Sequence, residues 1–274
     1  MLHNFCRNLF SFTVVSKIKA MSTDPSQRSG KIFEYAEIDS TNEEMSRLLG
    51  RGDLEEGTVV RAGYQSAGKG HGGNTWSSER DKNLLFSILL KPRALRPEAA
   101  FHLSRITSLS IVGTLDRHSI GSSVKWPNDI LVGSRKIAGI LIENSISGSR
   151  ISRSVIGVGL NVNQERFDPG IPAPTSMFLE KRCQFDMNLL LEDFRSVLGE
   201  WIRLLLAGDI GHIMKAYHDR LYLLGRTARF AAGGREFSGK IRGVLPGGEL
   251  ELELNGGRVQ RYAFKEIELL GEIA

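Results

Sequence analysis

Residues 83–92 read NLLFSILLKP, a nearly continuous apolar run interrupted only by Ser87. Such a run reads as a strand buried on both faces, which needs cover on both sides. Upstream, KIFEYAEI (31–38) alternates Ile32, Phe33 and Tyr35 with polar residues and reads as a strand. DSTNEEMSRLLG (39–50) then reads as a helix. Ser40 and Glu43 have the spacing of a capping box, Met45, Leu48 and Leu49 form its buried stripe, and Gly50 ends it. TVVRAGYQ (58–65) is a further strand.

Downstream, 98–118 reads as a helix with Phe101, Ile106, Leu109, Val112 and Leu115 on one side. RKIAGILIENS (135–145) and SVIGVGLNV (154–162) read as two paired strands. Residues 163–187 hold three prolines and read as an irregular connection. Residues 189–206 form the cleanest amphipathic helix, with Leu190, Leu191, Phe194, Val197, Leu198, Trp201 and Ile202 at three- and four-residue intervals. Another helix is expected over 209–224, stopping at Gly225. Beyond it the pattern changes to short alternating segments at 226–230, 236–244, 249–254 and 258–264, separated by glycine turns. That spacing predicts a small β-barrel over 225–274, with too little core of its own to stand away from the larger unit at 31–224.

Composition narrows the options. The 274 residues are 41% hydrophobic and 24% charged, which excludes disorder, collagen and coiled coil as the main account. The pI near 9.3 is misleading. Arg7, Lys17, Lys19, Arg28 and Lys31 face only Asp24 in the first 31 residues, so the remainder is close to neutral and gives little support for nucleic-acid binding. Residues 1–30 read as a disordered leader or as a misplaced start ahead of Met21. Cys6 and Cys183, the two cysteines, suggest neither a disulfide framework nor a zinc site, and the expected compartment is the reducing cytoplasm. No apolar run approaches the ~18 residues of a membrane span.

Four stretches could carry chemistry. Gly68-Lys69-Gly70-His71-Gly72-Gly73 has four glycines in six positions and is either an anion-binding nest or a flexible hairpin. It has neither the Walker A ending nor the Rossmann spacing. Lys125-Trp126-Pro127-Asn128-Asp129 offers an amide and a carboxylate to Mg²⁺ or ribose, or is a solvated turn. Lys136 leads into the apolar Ile137–Leu141 and either points at a pocket mouth or is solvated. Gly157-Val158-Gly159-Leu160-Asn161 marks close approach of a ligand or of packed neighbours. His71 alone does not support acid–base work. No catalytic triad or His pair of zinc spacing is present. Anion binding and electrostatic stabilisation fit better than covalent catalysis.

In order and spacing, Asp39-Ser40-Thr41-Asn42, Gln65 through Trp76, Lys125 through Asp129, Lys136 through Glu143 and Gly157 through Asn161 resemble the motifs of biotin–protein ligases, over about 32–270. The resemblance implies an α+β fold: a mixed sheet with flanking helices like class II tRNA synthetases, plus an SH3-like C-terminal barrel. It implies a ligase that joins biotin to AMP and then to a lysine of a biotin carboxyl carrier protein domain, with ATP and Mg²⁺. Ser40, Thr41 and Gln65 resemble the contacts to biotin's ureido ring, Gly68, Lys69 and Gly70 the loop over the acyl-phosphate, and Asn42, His71, Lys136 and Gly139 join them as biotin-binding candidates. Trp76 resembles the adenine platform. Lys136 resembles the lysine that neutralises carboxylate and α-phosphate; Lys69, Lys125 and Asp129 join it as catalytic candidates. Asn128, Asp129 and Asn161 resemble the Mg²⁺–ATP set, with Asp129 as the metal ligand. Lys69 and His71 depart from the commonest pattern, in which arginine is usual at the first and arginine or glutamine common at the second.

Some members carry an N-terminal winged-helix DNA-binding domain. About 30 residues precede the first strand, too few for it, so the expectation is a ligase with neither DNA nor membrane as partner. An edge-to-edge homodimer is allowed but not selected. Two alternatives stay open: a lipoate–protein ligase, whose Arg-Arg-x-Ser-Gly-Gly-Gly loop is absent, and a catalytically inactive biotin- or nucleotide-binding regulator.

Overall fold

The computed structural model describes residues 30–272. The reading of 1–29 as a leader therefore lies outside the described residues. A seven-stranded mixed sheet forms the body, in the order β1-β2-β3-β7-β6-β5-β4. Its strands are β1 (Ile32–Ile38), β2 (Val59–Gln65), β3 (Asn83–Leu90), β4 (Ser123–Lys125), β5 (Asp129–Val132), β6 (Arg135–Ser147) and β7 (Arg150–Asn161). Only β1 and β2 run parallel, and every other neighbouring pair is antiparallel. The apolar run of β3 is buried at all eight positions, as its sequence required.

The strands divide their side chains by period two. Leu84, Phe86 and Ile88 of β3 join Ile156, Val158 and Leu160 of β7 in the main core. Helices α2 (Phe101–Arg117) and α4 (Met187–Leu206) cover that face, and Phe86 meets Phe194 edge-on with ring centroids 5.0 Å apart. On the opposite face, α1 (Thr41–Arg51) seats Met45 on Val60, Leu89 and Val155 in a smaller core. The rest of that face is left for the site described below.

Helix α2 is buried almost all round, not along one stripe. Thr107, Ser110 and Thr114 are tolerated inside because each hydroxyl donates to the carbonyl four residues back, at 2.6–2.8 Å. The connection over 163–187 is not wholly irregular: Ser176 caps a short helix, α3 (Met177–Lys181), accepting from the Leu179 N–H. Helix α5 (Ile210–Asp219) ends well before Gly225. The chain leaves it to pair with β4, where the Val124 N–H donates to Arg220 O and the Tyr222 N–H to Val124 O. Helix α1 likewise runs one residue past the expected stop at Gly50.

The C-terminal segment forms a five-stranded antiparallel sheet in the order β11-β10-β9-β8-β12, from β8 (Thr227–Ala232), β9 (Arg235–Val244), β10 (Leu250–Leu254), β11 (Val259–Tyr262) and β12 (Glu268–Glu272). The sequence reading did not include β12. The sheet shares the main core, with Phe230, Ile241, Leu250 and Leu252 in the same cluster as α2. Arg105 pins the junction: fully buried on α2, it donates to the carbonyls of Val244, Leu245 and Pro246 and lies over the Phe101 ring at 4.6 Å. Three carbonyls and two aromatic faces replace the water that Arg105 loses. No helix among the described residues is long and apolar enough to cross a membrane.

Candidate active site

The site lies on the α1 side of the sheet. Ser40 occupies the N-cap position of α1 in extended conformation but accepts no capping bond from its own helix. The expected capping box does not form: the Ser40 N–H donates to Asp39 Oδ1 at 2.7 Å, and Glu43 pairs instead with the Lys69 ammonium. Ser40 is thereby left to face a cavity, buried to 3% exposure. Asp39, one residue earlier, is gripped by both terminal nitrogens of Arg47 at 2.6 and 2.8 Å. The guanidinium holds its carboxyl down at about 2. This pair fixes the turn from β1 into α1.

The glycine stretch is a hairpin, not an open loop. The Gly70 N–H donates to Asn74 O at 2.7 Å and the Trp76 N–H to Gly68 O at 2.8 Å. At its tip Gly72 and Gly73 take φ of 75° and 93°, which a side chain would resist. His71 stacks on Phe264 of the C-terminal segment, centroids 3.8 Å apart, so the tip rests on the second sheet. Burial, with Lys265 adding to it, pushes the His71 imidazole below its usual value. Trp76 folds back onto the glycines of β6 and β7: a Cβ on Gly139 or Gly159 would lie 2.9 or 2.4 Å from its ring.

Beneath the hairpin is a cavity of about 40 Å³ lined by Ser40, Thr41, Gln65, Trp76, Asn128, Lys136 and the glycine faces of β6 and β7. One end is polar and uncharged. At the other the Lys136 ammonium meets Asp129 Oδ1 at 2.6 Å, an ion pair and not an aligned hydrogen bond, and lies 5.6 Å from the Trp76 ring centroid. Past Asp129 the surface opens into a larger cleft of about 550 Å³, bounded by Lys125, Trp126, Phe264, Lys265 and Leu269.

The structure brings most sequence-selected residues together. Ser40, Thr41, Asn42, Gln65, Lys69, Gly70, His71, Trp76, Asn128, Lys136 and Gly139 line the cavity, while Gly68 packs against Gln65 behind it. Lys125 and Asp129 face the larger cleft. Asn161 is not in either wall. It is buried, donating to Thr175 O at 2.9 Å, and braces the connection after β7. Asn128 is partly committed as well, donating to Ile140 O at 3.1 Å. Among the described residues no three His, Cys, Asp or Glu side chains converge on a metal position.

Two participants were not selected from sequence. Ser87 bonds to both Thr41 and Asn42, and Glu143 accepts from Asn42. The signal for Ser87 was its place as the one hydroxyl in the apolar strand. Of the two uses expected for the glycines of β7, the structure shows close approach of packed neighbours. Gly157 admits Asn42, whose Oδ1 would sit 2.3 Å from a Cβ there, and Gly159 admits Trp76. Both accommodate side chains that shape the cavity.

Comparison with known proteins agrees with this geometry. Residues 35–161 match the Biotin/lipoate A/B protein ligase family. A bifunctional ligase/repressor BirA of Bacillus subtilis is 31% identical over 260 residues, covering 88% of this chain and 74% of the relative. A biotin–[acetyl-CoA-carboxylase] ligase of Paracoccus denitrificans is 29% identical, covering 81% and 94%. In fold, the biotin protein ligase of Aquifex aeolicus in complex with biotin and ATP superposes with a TM-score of 0.75 at 24% identity, over 88% of this chain and 99% of that one. The chain belongs to the biotin/lipoate A/B protein ligase family.

Proposed function

We propose that this chain is an ATP-dependent biotin–protein ligase, which activates biotin as biotinyl-5′-AMP and transfers it to a lysine of a carrier domain. The observation that carries this reading is the polarity of the cavity under the hairpin. Ser40, Thr41 and Gln65 form a neutral polar end and Lys136 a cationic one. A ligand with an uncharged hydrogen-bonding head and a carboxylate tail matches that gradient. A dithiolane head, which has no N–H or C=O, would leave the buried Ser40, Thr41 and Gln65 groups unpaired.

In the first step a carboxylate oxygen attacks the α-phosphorus of MgATP, the bond to the β-phosphate breaks and pyrophosphate leaves. Lys136 neutralises charge on the carboxylate and on the α-phosphoryl oxygens as it builds. In the second step the acceptor ammonium gives up a proton to solvent, the freed amine attacks the acyl carbon, the acyl C–O bond to the phosphate breaks and AMP departs, and the new amide nitrogen sheds its second proton. Asp129, facing the open cleft, orients the incoming ammonium, and Lys125 lies beside that approach. Trp76 offers its face to adenine. Mg²⁺ enters with the nucleotide, and one carboxylate, Asp129, suits an ion already held by phosphate oxygens. At about 40 Å³ the cavity is far below the ~300–1,000 Å³ of a ligand pocket, so the hairpin and its neighbours must part to admit biotin. Closed again, it keeps water from the mixed anhydride. Residues 31–224 form the ligase unit and 225–274 a C-terminal domain, working in the cytoplasm on a carboxylase carrier domain.

Incorporation of labelled biotin into a carrier domain with ATP and Mg²⁺ tests the whole. Biotin-dependent pyrophosphate exchange is the expected companion result. Exchange that depended on lipoate, or none with either acid, would replace this reading.

A further inference from the structure

Residues Glu143, Asn42, Ser87 and Thr41 form one hydrogen-bonded line running from the surface to the cavity. The Asn42 amide nitrogen donates to Glu143 Oε2 at 2.7 Å. Ser87 Oγ lies 2.6 Å from Asn42 Oδ1 and 2.7 Å from Thr41 Oγ1. Asn42, Ser87 and Thr41 are 2%, 0% and 4% exposed, so no bulk water can enter to relax the arrangement.

The direction of this line follows from the chemistry of its ends. A carboxylate only accepts, so the Asn42 nitrogen is turned toward Glu143 and its oxygen toward Ser87. That oxygen also only accepts, so the single Ser87 proton is given to it. Ser87 can then only accept from Thr41, whose own proton is used up. What Thr41 has left for the cavity is a lone pair. Beside it, Gln65 is fixed by the same logic. Its Oε1 accepts the Thr41 backbone N–H at 2.8 Å, so its amide nitrogen is the group free to donate. Both residues line the cavity. Thr41 and Gln65 thus present an acceptor and a donor, beside the Ser40 hydroxyl, which can act as either.

We propose that the Glu143–Asn42–Ser87 line polarises Thr41 into a dedicated acceptor, so that the site selects a ring offering an N–H there, with Ser87 as the positioning residue for this specificity. The proposal rests on the reading of the cavity as the biotin-ring site and adds how that ring is told from an isostere. A cyclic carbamate, with oxygen in place of the N–H facing Thr41, would set lone pair against lone pair in a buried place.

The test is isothermal titration of the full chain with biotin and with the two carbamate analogues in which one or other ring N–H is replaced by oxygen. The unaltered protein should bind biotin more tightly than one of the two by about ten- to a hundredfold, the range set by leaving one buried polar group unpaired. In Ser87→Ala the Thr41 proton is released and can turn to that analogue's oxygen. The preference should narrow about tenfold or more. Glu143→Gln, at the exposed end, removes the fixed direction without touching the ligand and should narrow it less. A purely structural Ser87 would weaken both ligands in step, and an unchanged ratio in both variants overturns the proposal. Failure of biotin to bind the unaltered chain is a separate result, which overturns the site reading underneath it.

Discussion

The two faces of β3 and β7 are made from alternate residues of the same chain, yet they are built to opposite rules. Toward α2 and α4 they present Leu84, Phe86, Ile88, Ile156, Val158 and Leu160, a face of close apolar packing. Toward the cavity they present Ser87, Gly157 and Gly159, a face of notches and one hydroxyl. The first face sets stability by area and fit. The second gives up side-chain area at the glycines so that Asn42 and Trp76 can sit deep against the backbone. Where the second face meets the cavity, and not where Leu89 and Val155 pack under α1, a substitution should therefore move function more than stability.

Phe86→Ala is the largest expected effect on the packed face. Removing a fully buried ring that touches Phe194 should cost about 3–5 kcal/mol in denaturant unfolding, while biotin affinity of the folded fraction stays near normal. A large affinity loss at unchanged stability would break the division of labour. Lys136→Ala is the counterpart on the other side. It should lower biotin-dependent pyrophosphate exchange by about 10²–10³-fold, the usual weight of one preorganised charge donor. Its melting temperature should change little, because the Lys136 side chain is one-third exposed and its ion pair with Asp129 is partly solvated. Gly157→Ala probes the notch itself. A Cβ 2.3 Å from Asn42 Oδ1 must push that amide away from Ser87 and Glu143. Biotin affinity should fall about tenfold, with about 1–2 kcal/mol of stability, from the lost pairing of buried polar groups. If affinity holds, the notch is not what seats Asn42.

This contrast also explains how far the sequence could be read. Periodicity located five strands of the large sheet, and motif spacing gathered the cavity residues, because both are local patterns; β4 and β5, the short pair on either side of Pro127, were read as a turn and not as strands. What it missed depends on contacts between distant segments. Ser40 and Glu43 have capping-box spacing, but the Ser40 N–H donates to Asp39 and Glu43 pairs with Lys69 on another element. Asn161 sits in a motif beside the cavity glycines, yet an odd-even count would have set it on their face while its amide turns to Thr175. The polar residues of α2 disguised a helix buried on all sides, since nothing local announces hydroxyls that return to their own backbone. Strand β12 forms only by pairing with β8 some forty residues earlier.

The smallest expected effect concerns the junction behind the packed face, where two histidines must stay neutral. His102 Nδ1 accepts from Arg105 at 3.2 Å, and His218 Nε2 accepts the Val244 N–H at 2.9 Å. Burial lowers both imidazoles and the Arg105 guanidinium lowers them further, while the Val244 carbonyl, 3.2 Å from His218 Nε2, acts the other way on His218. Arg105 is itself pushed down to about 10 by burial, and Asp219 acts weakly the other way on His218. A histidine whose folded value lies below its ordinary 6.5 contributes stability above pH 6.5. That contribution disappears as pH falls through the lower folded value, because the unfolded chain takes up the proton first. The urea midpoint should therefore decline below pH 6.5 more steeply than in a His102→Gln, His218→Gln double variant, whose amides can accept the same bonds without titrating. Parallel pH profiles for the two proteins would mean that the junction does not depend on neutral imidazoles, and that Arg105 is held by the carbonyls of Val244, Leu245 and Pro246 without them.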